Sequence, residues 1–394
     1  MIYLDHAAAT PVSEAALAAM QPFFSEQFFN PSSPYLAAKH VRERYEEAKS
    51  DLAHVIGAKS ADLVMASGAT EATNLAFTVV GNKSTPENAS SARILALETE
   101  HASVRELVRQ YNGSFVKVDK TGLIDLKDLE SKITDDTELI SVSLANNELG
   151  TIQPLAEIAN IVKKVNQERF QKGLRRRLYL HSDASQALSL IEINVSRLGV
   201  DLLTLNSPKV YGPKGVGALY VARGVKLKPI SYGGGQELGL RSGTENVPGV
   251  IGFSVAAQLA KAHLGESRKK YSALTKILRA ELEKAKVPPI FLGNKKHQLA
   301  SFCPVSFPGI DAERIIYMLE DQEIYLSTGA ACAASKGQKS HVLEAIGLSD
   351  AEIAGSLRIS LGSLNNEENI RLAAQAIVTA VDNEYTRINR GELA

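Results

Sequence analysis

The sequence contains no tryptophan and only two cysteines among its 394 residues. Two cysteines cannot build a disulfide framework or a cysteine-rich metal site, so each is either a core residue or a reactive thiol. Long apolar runs are also missing, and the opening MIYLDHAAATP has neither the basic region nor the apolar region of an export signal. These absences predict a soluble, cytoplasmic protein.

An excess of charge of either sign is missing as well, because 44 Lys and Arg residues balance 44 Asp and Glu residues. A balanced chain has no overall field that would draw it to nucleic acid or to a membrane surface. Any anion site must therefore be local. The basic triplet Arg175–Arg177 is one local exception, and it fits either a solvated helix end or a site for a partner.

The chain does have enough apolar material, 44% of its residues, to bury a large core. Helical and strand patterns alternate from about residue 14 to residue 255, which predicts an α/β fold with a mainly parallel sheet. A single long helical pattern over residues 255–285, followed by strand patterns in ASFCPVSF and EIYLSTG, predicts a second, smaller α/β domain. The strand-like runs of the first part are DLVMAS, RILALE, LISVSL, RLYLHSD and DLLTLN.

Polar residues follow each of these five runs. The carboxyl ends of parallel strands meet at one edge of a sheet, which is where open α/β sheets bind ligands, so the five sets predict one pocket. In chain order the sets contain Thr70, His101, Asn146 with Asn147, Asp183 with Gln186, and Lys209.

Each of these signals is weak by itself. SGATEATN at residues 67–74 suits a phosphate, since small residues at a helix start expose backbone N–H groups, but it also fits an ordinary helix cap. A lone histidine such as His101 is more often structural than functional. Asp183 follows an apolar strand and needs a cation or hydrogen-bond donors to offset the cost of burial. In LNSPKVYGPKG, composition does not choose between Lys209 and Lys214.

Taken together, the five sets fit pyridoxal 5′-phosphate (PLP). A lysine can bind this cofactor covalently, and a carboxylate can keep its ring nitrogen protonated so that the ring accepts electrons. An imidazole can stack on the ring. A helix start can hold the phosphate.

The motifs also follow the order of a known family. The chain resembles the cysteine desulfurases of the iron–sulfur-cluster assembly type, from YLDHAAATP onward and over essentially its whole length. The motifs that carry the resemblance are SGATEATN, TEHASV, NNELGTIQP, HSDASQAL, a lysine before YGPKGVGALYV, GGGQELGLRSGTEN, STGAACAAS and LRISLG.

The resemblance implies fold type I of the PLP-dependent transferases, with a mainly parallel seven-stranded sheet in the large domain and a smaller α/β C-terminal domain. It places the large PLP-binding domain at residues 14–255 and the small domain, with the Cys332 loop and Arg358, at residues 1–13 and 256–394. It also implies a homodimer that removes sulfur from L-cysteine as a persulfide on Cys332 and leaves L-alanine. A protein acceptor would then receive the sulfur for iron–sulfur cluster assembly or tRNA thiolation.

The same resemblance assigns the residues around the cofactor ring. It makes Lys209 the Schiff-base lysine and pairs Asp183 with the ring nitrogen. Gln186 and Asn147 would donate hydrogen bonds to the ring oxygen. His101 would stack on the ring and accept a proton.

The phosphate site implied by the resemblance combines two chains. Ala69, Thr70, Asn206 and Ser207 would bind the phosphate from the same subunit. Thr244 in RSGTEN would reach it from the other subunit. This Gly-rich stretch also fits a plain surface turn.

The substrate and sulfur sites lie in the last third of the chain. The planar fork of Arg358 in SLRISLG would bind the substrate carboxylate together with Asn147, although an isolated arginine in a strand pattern also fits the surface. Cys332 stands among small residues and would carry the persulfide. The other cysteine, Cys303 in ASFCPVSF, is predicted to be a core residue.

The sequence departs from the family next to the lysine. The family reads Ser-x-His-Lys there, whereas this chain has Asn206, Ser207 and Pro208 before Lys209. An Asn amide can donate to a phosphate as the serine hydroxyl does, but proline cannot replace an imidazole and lacks an N–H. The departure leaves open a PLP-binding sulfur-transfer or scaffold homologue with weak or partner-dependent turnover. A selenocysteine lyase and a class V aminotransferase, which would not need the Cys332 thiol, are further alternatives.

Overall fold

The computed structural model describes residues 1–80, 93–329 and 339–391 of the chain. Its strands are β1 (Ile2–Tyr3), β2 (Leu63–Ala66), β3 (Ile94–Leu97), β4 (Ser114–Val116), β5 (Leu139–Ser141), β6 (Tyr179–Asp183), β7 (Leu202–Asn206), β8 (Gly217–Val221), β9 (Ile290–Phe291), β10 (Phe302–Ser306), β11 (Ile324–Tyr325), β12 (Ser327–Thr328) and β13 (Ser356–Ser360). Its α-helices are α1 (Glu14–Met20), α2 (Pro22–Ser25), α3 (Leu36–Val55), α4 (Ala69–Phe77), α5 (Ala102–Gln110), α6 (Leu126–Lys132), α7 (Leu155–Gln171), α8 (Val195–Leu198), α9 (Val247–Ala262), α10 (Leu264–Leu282), α11 (Ala312–Glu320), α12 (His341–Ala345), α13 (Asp350–Ala354) and α14 (Glu367–Gly391).

The largest sheet has seven strands in the order β2-β8-β7-β6-β5-β3-β4. The neighbours from β7 to β4 pair in parallel, and β8 runs antiparallel to both β2 and β7. The predicted α/β class with a mainly parallel seven-stranded sheet is therefore confirmed. All five apolar runs named from the sequence form strands of this sheet.

Both faces of the large sheet are buried, which explains why apolar residues occur on both faces of its strands rather than on one. In β3, Leu95 and Leu97 pack into one hydrophobic cluster, and Ile94 and Ala96 pack into a second cluster on the other face. Helices on both sides cover these faces, so the strand ends are the part of the sheet left for ligands.

A second sheet of four antiparallel strands, in the order β12-β13-β10-β9, lies in the C-terminal part of the chain. The N-terminus joins this part, because β1 pairs in parallel with β11 and Asp5 bridges to Ser360 of β13. The proposed boundaries at residues 13 and 255 stay a prediction. Within the described ranges, no helix is both long and apolar enough to cross a lipid bilayer.

Two details differ from the sequence-based expectation. The single long helix expected over residues 255–285 is two helices, because His263 leaves helical geometry with φ −99° and ψ 9° between α9 and α10. The strands β4 and β8 were not predicted. β4 has only three residues, and the five-residue β8 follows the Gly-rich turn after Lys209 and returns antiparallel beside β7.

Candidate active site

The polar residues predicted to form one pocket follow neighbouring parallel strands of the large sheet. Asp183 is the last residue of β6, and a one-turn helix, Ser207–Lys209, follows β7 directly. His101 caps the N-terminus of α5, four residues after β3 ends. Because these strands run in the same direction, the three side chains lie along the same sheet edge.

Lys209 lies against the N-terminal segment of the chain. Its Nζ donates to the carbonyl oxygen of Ala7 at 2.9 Å and also to that of Ala8. Gln186 Nε2 donates to the same Ala7 carbonyl at 3.0 Å, so the lysine and the glutamine share one acceptor. Lys214 is exposed in the next turn. The structure therefore brings Lys209, and not Lys214, to the predicted cluster.

Asp183 is a buried carboxylate, with 8% of its surface exposed. Its Oδ1 accepts a hydrogen bond from the backbone N–H of Ser185 at 2.8 Å. Across the described ranges of the chain, no lysine, arginine or histidine lies within ion-pair distance of it. Burying a carboxylate without a counter-cation is costly, so this site fits a ligand that brings its own positive charge, such as a protonated pyridine nitrogen.

His101 lies within the electrostatic reach of both Asp183 and Lys209. Its Nδ1 is 2.8 Å from Ser103 Oγ and accepts from the Ser103 backbone N–H at 3.2 Å, which leaves Nε2 for other partners. The residue reaches solvent, yet partial desolvation of the ring lowers its pKa from the ordinary value of 6.5. The negative charge of Asp183 opposes this lowering of the pKa, and the positive charge of Lys209 adds to it.

Arg358 on β13 is buried, with 6% of its surface exposed. Its Nη2 donates to Asp5 Oδ1 at 2.8 Å, and its Nη1 donates to the backbone carbonyl of Asn147 at 3.2 Å. The structure thus places Arg358 beside Asn147, and the role of the two in binding substrate stays a prediction. It does not support a surface position for this arginine.

The start of α4 offers backbone N–H groups that could bind a phosphate. Gly68 has φ +156°, and the backbone packs so closely that a Cβ on Gly217 would lie 2.6 Å from the Gly68 carbonyl carbon. Asn206 Oδ1 lies 3.8 Å from the place a Gly68 Cβ would occupy. Ala69 and Thr70 form the first two positions of the helix, so their N–H groups face outward from its positive end.

The other two predicted phosphate residues are placed differently. Ser207 is fully buried, and its Oγ would lie only 2.2 Å from a Cβ on Gly212. This hydroxyl therefore packs inside the turn beside Gly212, and its phosphate role stays a prediction. Thr244 is exposed and lies three residues after Arg241, whose Nε pairs with Glu71 Oε1 at 3.1 Å.

The structure describes one of the two cysteines. Cys332 lies outside the described residues. Cys303 is fully buried in β10, and burial raises the pKa of its thiol to about 11. Its predicted role as a core residue is confirmed.

The basic triplet lies just before β6, at the opposite end of that strand from Asp183. Arg176 pairs with Asp136, and Arg177 pairs with Asp201 at 2.5 Å. These ion pairs favour the solvated end of a helix-to-strand connection over a partner site.

Two groups at the site were missed in the sequence. Asp5 was quoted within YLDHAAATP but given no role, because its partner Arg358 is 353 positions away. Glu100, directly before His101, accepts from the Ser143 N–H at 2.8 Å, and burial raises its pKa to about 8. His341 donates from Nε2 to the Glu100 carbonyl at 2.9 Å. The adjacency of Glu100 to His101 was the one local signal available.

Comparison with known proteins identifies the family. The family model described as aminotransferase class-V matches residues 2–372. The chain belongs to the class-V aminotransferase family. Its curated relatives include cysteine desulfurase IscS 1 of Archaeoglobus fulgidus, 40% identical over 94% of both chains. Another is cysteine desulfurase IscS of Dictyoglomus turgidum, 35% identical over 97% of this chain and 94% of its own.

Solved structures agree with this placement. A NifS-like protein superposes with a TM-score of 0.87 at 32% identity, covering 97% of this chain and 99% of its own. SspA in complex with cysteine superposes with a TM-score of 0.77 at 31% identity, covering 92% of this chain and 99% of its own. The resemblance to cysteine desulfurases drawn from the sequence motifs is confirmed, as are the PLP-dependent class and its fold.

Proposed function

We propose that this member of the family is a PLP-dependent cysteine desulfurase that converts L-cysteine into L-alanine and a protein-bound sulfur atom. One arrangement carries the proposal: the Lys209 amine lies at the same sheet edge as the uncompensated carboxylate of Asp183. In such an arrangement the amine can react with the aldehyde of PLP, and the carboxylate can pair with its ring nitrogen. Relatives that are cysteine desulfurases, and one solved with cysteine, support the substrate.

The residues that would hold PLP follow from the site. Lys209 would bind it covalently, Asp183 would pair with its ring nitrogen, and the start of α4 with Asn206 would hold its phosphate. Gln186, which shares the Ala7 carbonyl with Lys209, would meet the ring oxygen. When bound, PLP supplies an electron sink for the carbon skeleton of the substrate.

The chain's own groups carry the remaining steps. Arg358 would bind the substrate carboxylate, and His101 would take up a proton at Nε2, the nitrogen that Ser103 leaves available. The Cys332 thiolate would then attack the substrate sulfur. A new S–S bond forms as the C–S bond breaks, its electron pair stays on the carbon fragment, and protonation of that carbon gives alanine.

The departure at Pro208 leaves the lysine in place. Pro208 is in the first turn of the short helix that ends at Lys209, where a missing N–H removes no helical hydrogen bond. Its carbonyl oxygen accepts from the Thr10 N–H at 3.0 Å, which ties the N-terminal segment to the same turn. The backbone is therefore compatible with turnover despite the lost imidazole.

Several finer features belong to the same proposal. The active form would be a homodimer, with Thr244 of each subunit at the phosphate of the other. The sulfur on Cys332 would pass to a protein acceptor, such as a cluster scaffold or a thiolation enzyme. The protein would act in the cytoplasm. The exposed position of Thr244 is compatible with contact to a second subunit.

The test is a product balance on purified, PLP-loaded protein. With L-cysteine and a thiol reductant, we expect alanine and sulfide in equal amounts. If the protein turns over L-selenocysteine and not L-cysteine, it is a selenocysteine lyase and not a cysteine desulfurase. Transfer of the amino group to a keto acid without sulfide would favour an aminotransferase.

The pH profile should follow His101. Because the pKa of His101 is lowered from 6.5, its neutral, proton-accepting form persists below that pH. We therefore expect the acidic limb of kcat/KM, which reports the free enzyme, to have its midpoint below pH 6.5. His101→Gln should remove this limb and lower kcat/KM by about 10²-fold, whereas His263→Gln, at an exposed helix junction, should change neither. A wild-type midpoint above pH 6.5 would exclude the assigned role.

A further inference from the structure

The ion pair between Asp5 and Arg358 joins the two ends of the chain at the candidate site. The side chains are largely withdrawn from water, with 17% of Asp5 and 7% of Arg358 exposed. An exposed ion pair contributes little, but a buried arginine needs a partner for its charge. Among the described residues, Asp5 is the acidic side chain that pairs with this arginine.

Backbone contacts fix the position of Asp5. Its carbonyl oxygen accepts from the Tyr3 hydroxyl at 2.9 Å. The next residue, His6, donates its N–H to the Ser360 carbonyl at 3.3 Å, and the Ala7 N–H donates to Ser360 Oγ at 2.9 Å. Ser360 lies two residues after Arg358 on β13. The segment that carries the Asp5 carboxylate is therefore hydrogen-bonded directly to the strand that carries the Arg358 guanidinium.

The hydrogen bonds on Arg358 leave part of its fork open. A guanidinium has five N–H donors in one plane. Asp5 takes one on Nη2, and the Asn147 carbonyl takes one on Nη1. Nε is buried and has no acceptor within the described parts of the chain. The plane of the group is thus held from two sides, while the second N–H of Nη1 and of Nη2 remains for a further carboxylate.

Asp5 also lies within the electrostatic reach of Lys209, the second cation of the site. The positive charges of Arg358 and Lys209 both favour the ionised form of Asp5, against the burial that raises its pKa. The titratable and charged groups that face Asp5 therefore include Tyr3, Arg358 and Lys209. Two of these are the residues assigned to the substrate carboxylate and to the cofactor.

We propose that Asp5 is a positioning residue that holds the Arg358 guanidinium in the orientation needed to bind the carboxylate of an amino-acid substrate. This inference rests on the proposed function, because Arg358 is assigned to the substrate there. Asp5 itself does not contact the reacting atoms. Its loss leaves Arg358 charged but free to turn, so carboxylate binding weakens while the chemical step is largely kept.

The experiment compares two ligands on the PLP-loaded protein. L-Alanine carries the carboxylate, and 2-aminoethanethiol has the amine and thiol without it. We expect Asp5→Asn to bind L-alanine about tenfold more weakly than wild type does, because one charge-assisted hydrogen bond is lost. The affinity for 2-aminoethanethiol should be unchanged. KM for L-cysteine should rise by a similar factor, with kcat within about twofold.

Two further variants separate positioning from general damage. Asp201→Asn removes a similarly buried aspartate from an ion pair with Arg177, at the opposite end of the sheet from the site, and should leave both affinities unchanged. In an Arg358→Gln background, Asp5→Asn should add no further loss, because Asp5 acts only through Arg358. Equal loss for both ligands, or a full additional loss in that background, would overturn the inference.

The result also separates this inference from the proposed function. If wild type turns over L-cysteine and Asp5→Asn binds L-alanine as tightly as wild type, the inference alone is wrong. If Asp5→Asn binds L-alanine more weakly but wild type releases no sulfur from L-cysteine, the positioning role stands and the function is wrong. Tighter binding of L-alanine by the variant would show that Asp5 competes with the ligand and would also reject the proposal.

Discussion

Replacing Lys209 with alanine is expected to abolish the visible absorbance of covalently bound PLP and to reduce sulfur release from L-cysteine by about 10³-fold or more. The reason is that the Lys209 amine is placed at the sheet edge by the short helix after β7 and by the Ala7 carbonyl at 2.9 Å. No other lysine was assigned to the cluster. The absorbance spectrum and a sulfide assay measure the two effects separately.

Lys214→Ala is the matched control for this substitution. Lys214 lies five positions later in the same Gly/Pro-rich stretch and is exposed. We expect its spectrum and rate to equal those of wild type. A Lys209→Ala protein that kept the absorbance band, or a Lys214→Ala protein that lost it, would reverse the assignment of the two lysines.

Asp183→Asn is expected to give the second large effect, a fall in kcat of roughly 10²–10⁴-fold. Asparagine keeps the size of the side chain but cannot supply the negative charge that holds a ring nitrogen protonated. The variant should still bind PLP through Lys209, so its absorbance should persist with a shifted maximum. The measurement is kcat under saturating L-cysteine, together with the spectrum.

The control for Asp183 is Asp201→Asn. Asp201 is also a buried carboxylate, but it pairs with Arg177 and accepts from the Leu180 N–H at 2.9 Å, away from the strand ends that form the site. We expect its kcat to be within about twofold of wild type, as for substitutions outside the site. A similar loss in both variants would indicate general destabilisation and not a role at the ring nitrogen.

The sequence predicted the strands of the site well because those strands are buried on both faces. Runs such as RILALE and DLLTLN have apolar residues on both faces of the strand, and each ends in polar residues at its carboxyl end. That local pattern is enough to place Asp183 and Lys209 at one sheet edge. It does not give strand order, so the antiparallel return of β8 between β2 and β7 was not predicted.

Contacts between residues far apart in the chain were the main feature of the site that the sequence did not predict. Asp5 contacts Arg358 across 353 positions, and Lys209 contacts Ala7 across 202. No periodicity or spacing within a short segment encodes such pairs. Ser207 is a different case, because its contact is local: packing of the turn against Gly212 places its side chain inside, which the polarity of serine did not indicate.

The most direct test of the account is mass spectrometry of the PLP-loaded protein after brief exposure to L-cysteine without a reductant. We predict one added sulfur atom on the peptide that contains Cys332, formed together with an equal amount of alanine. The peptide with Cys303 is the internal control, since that thiol is fully buried with its pKa raised to about 11. Alanine formation with no sulfur adduct on Cys332, or an adduct on Cys303 instead, would contradict the account.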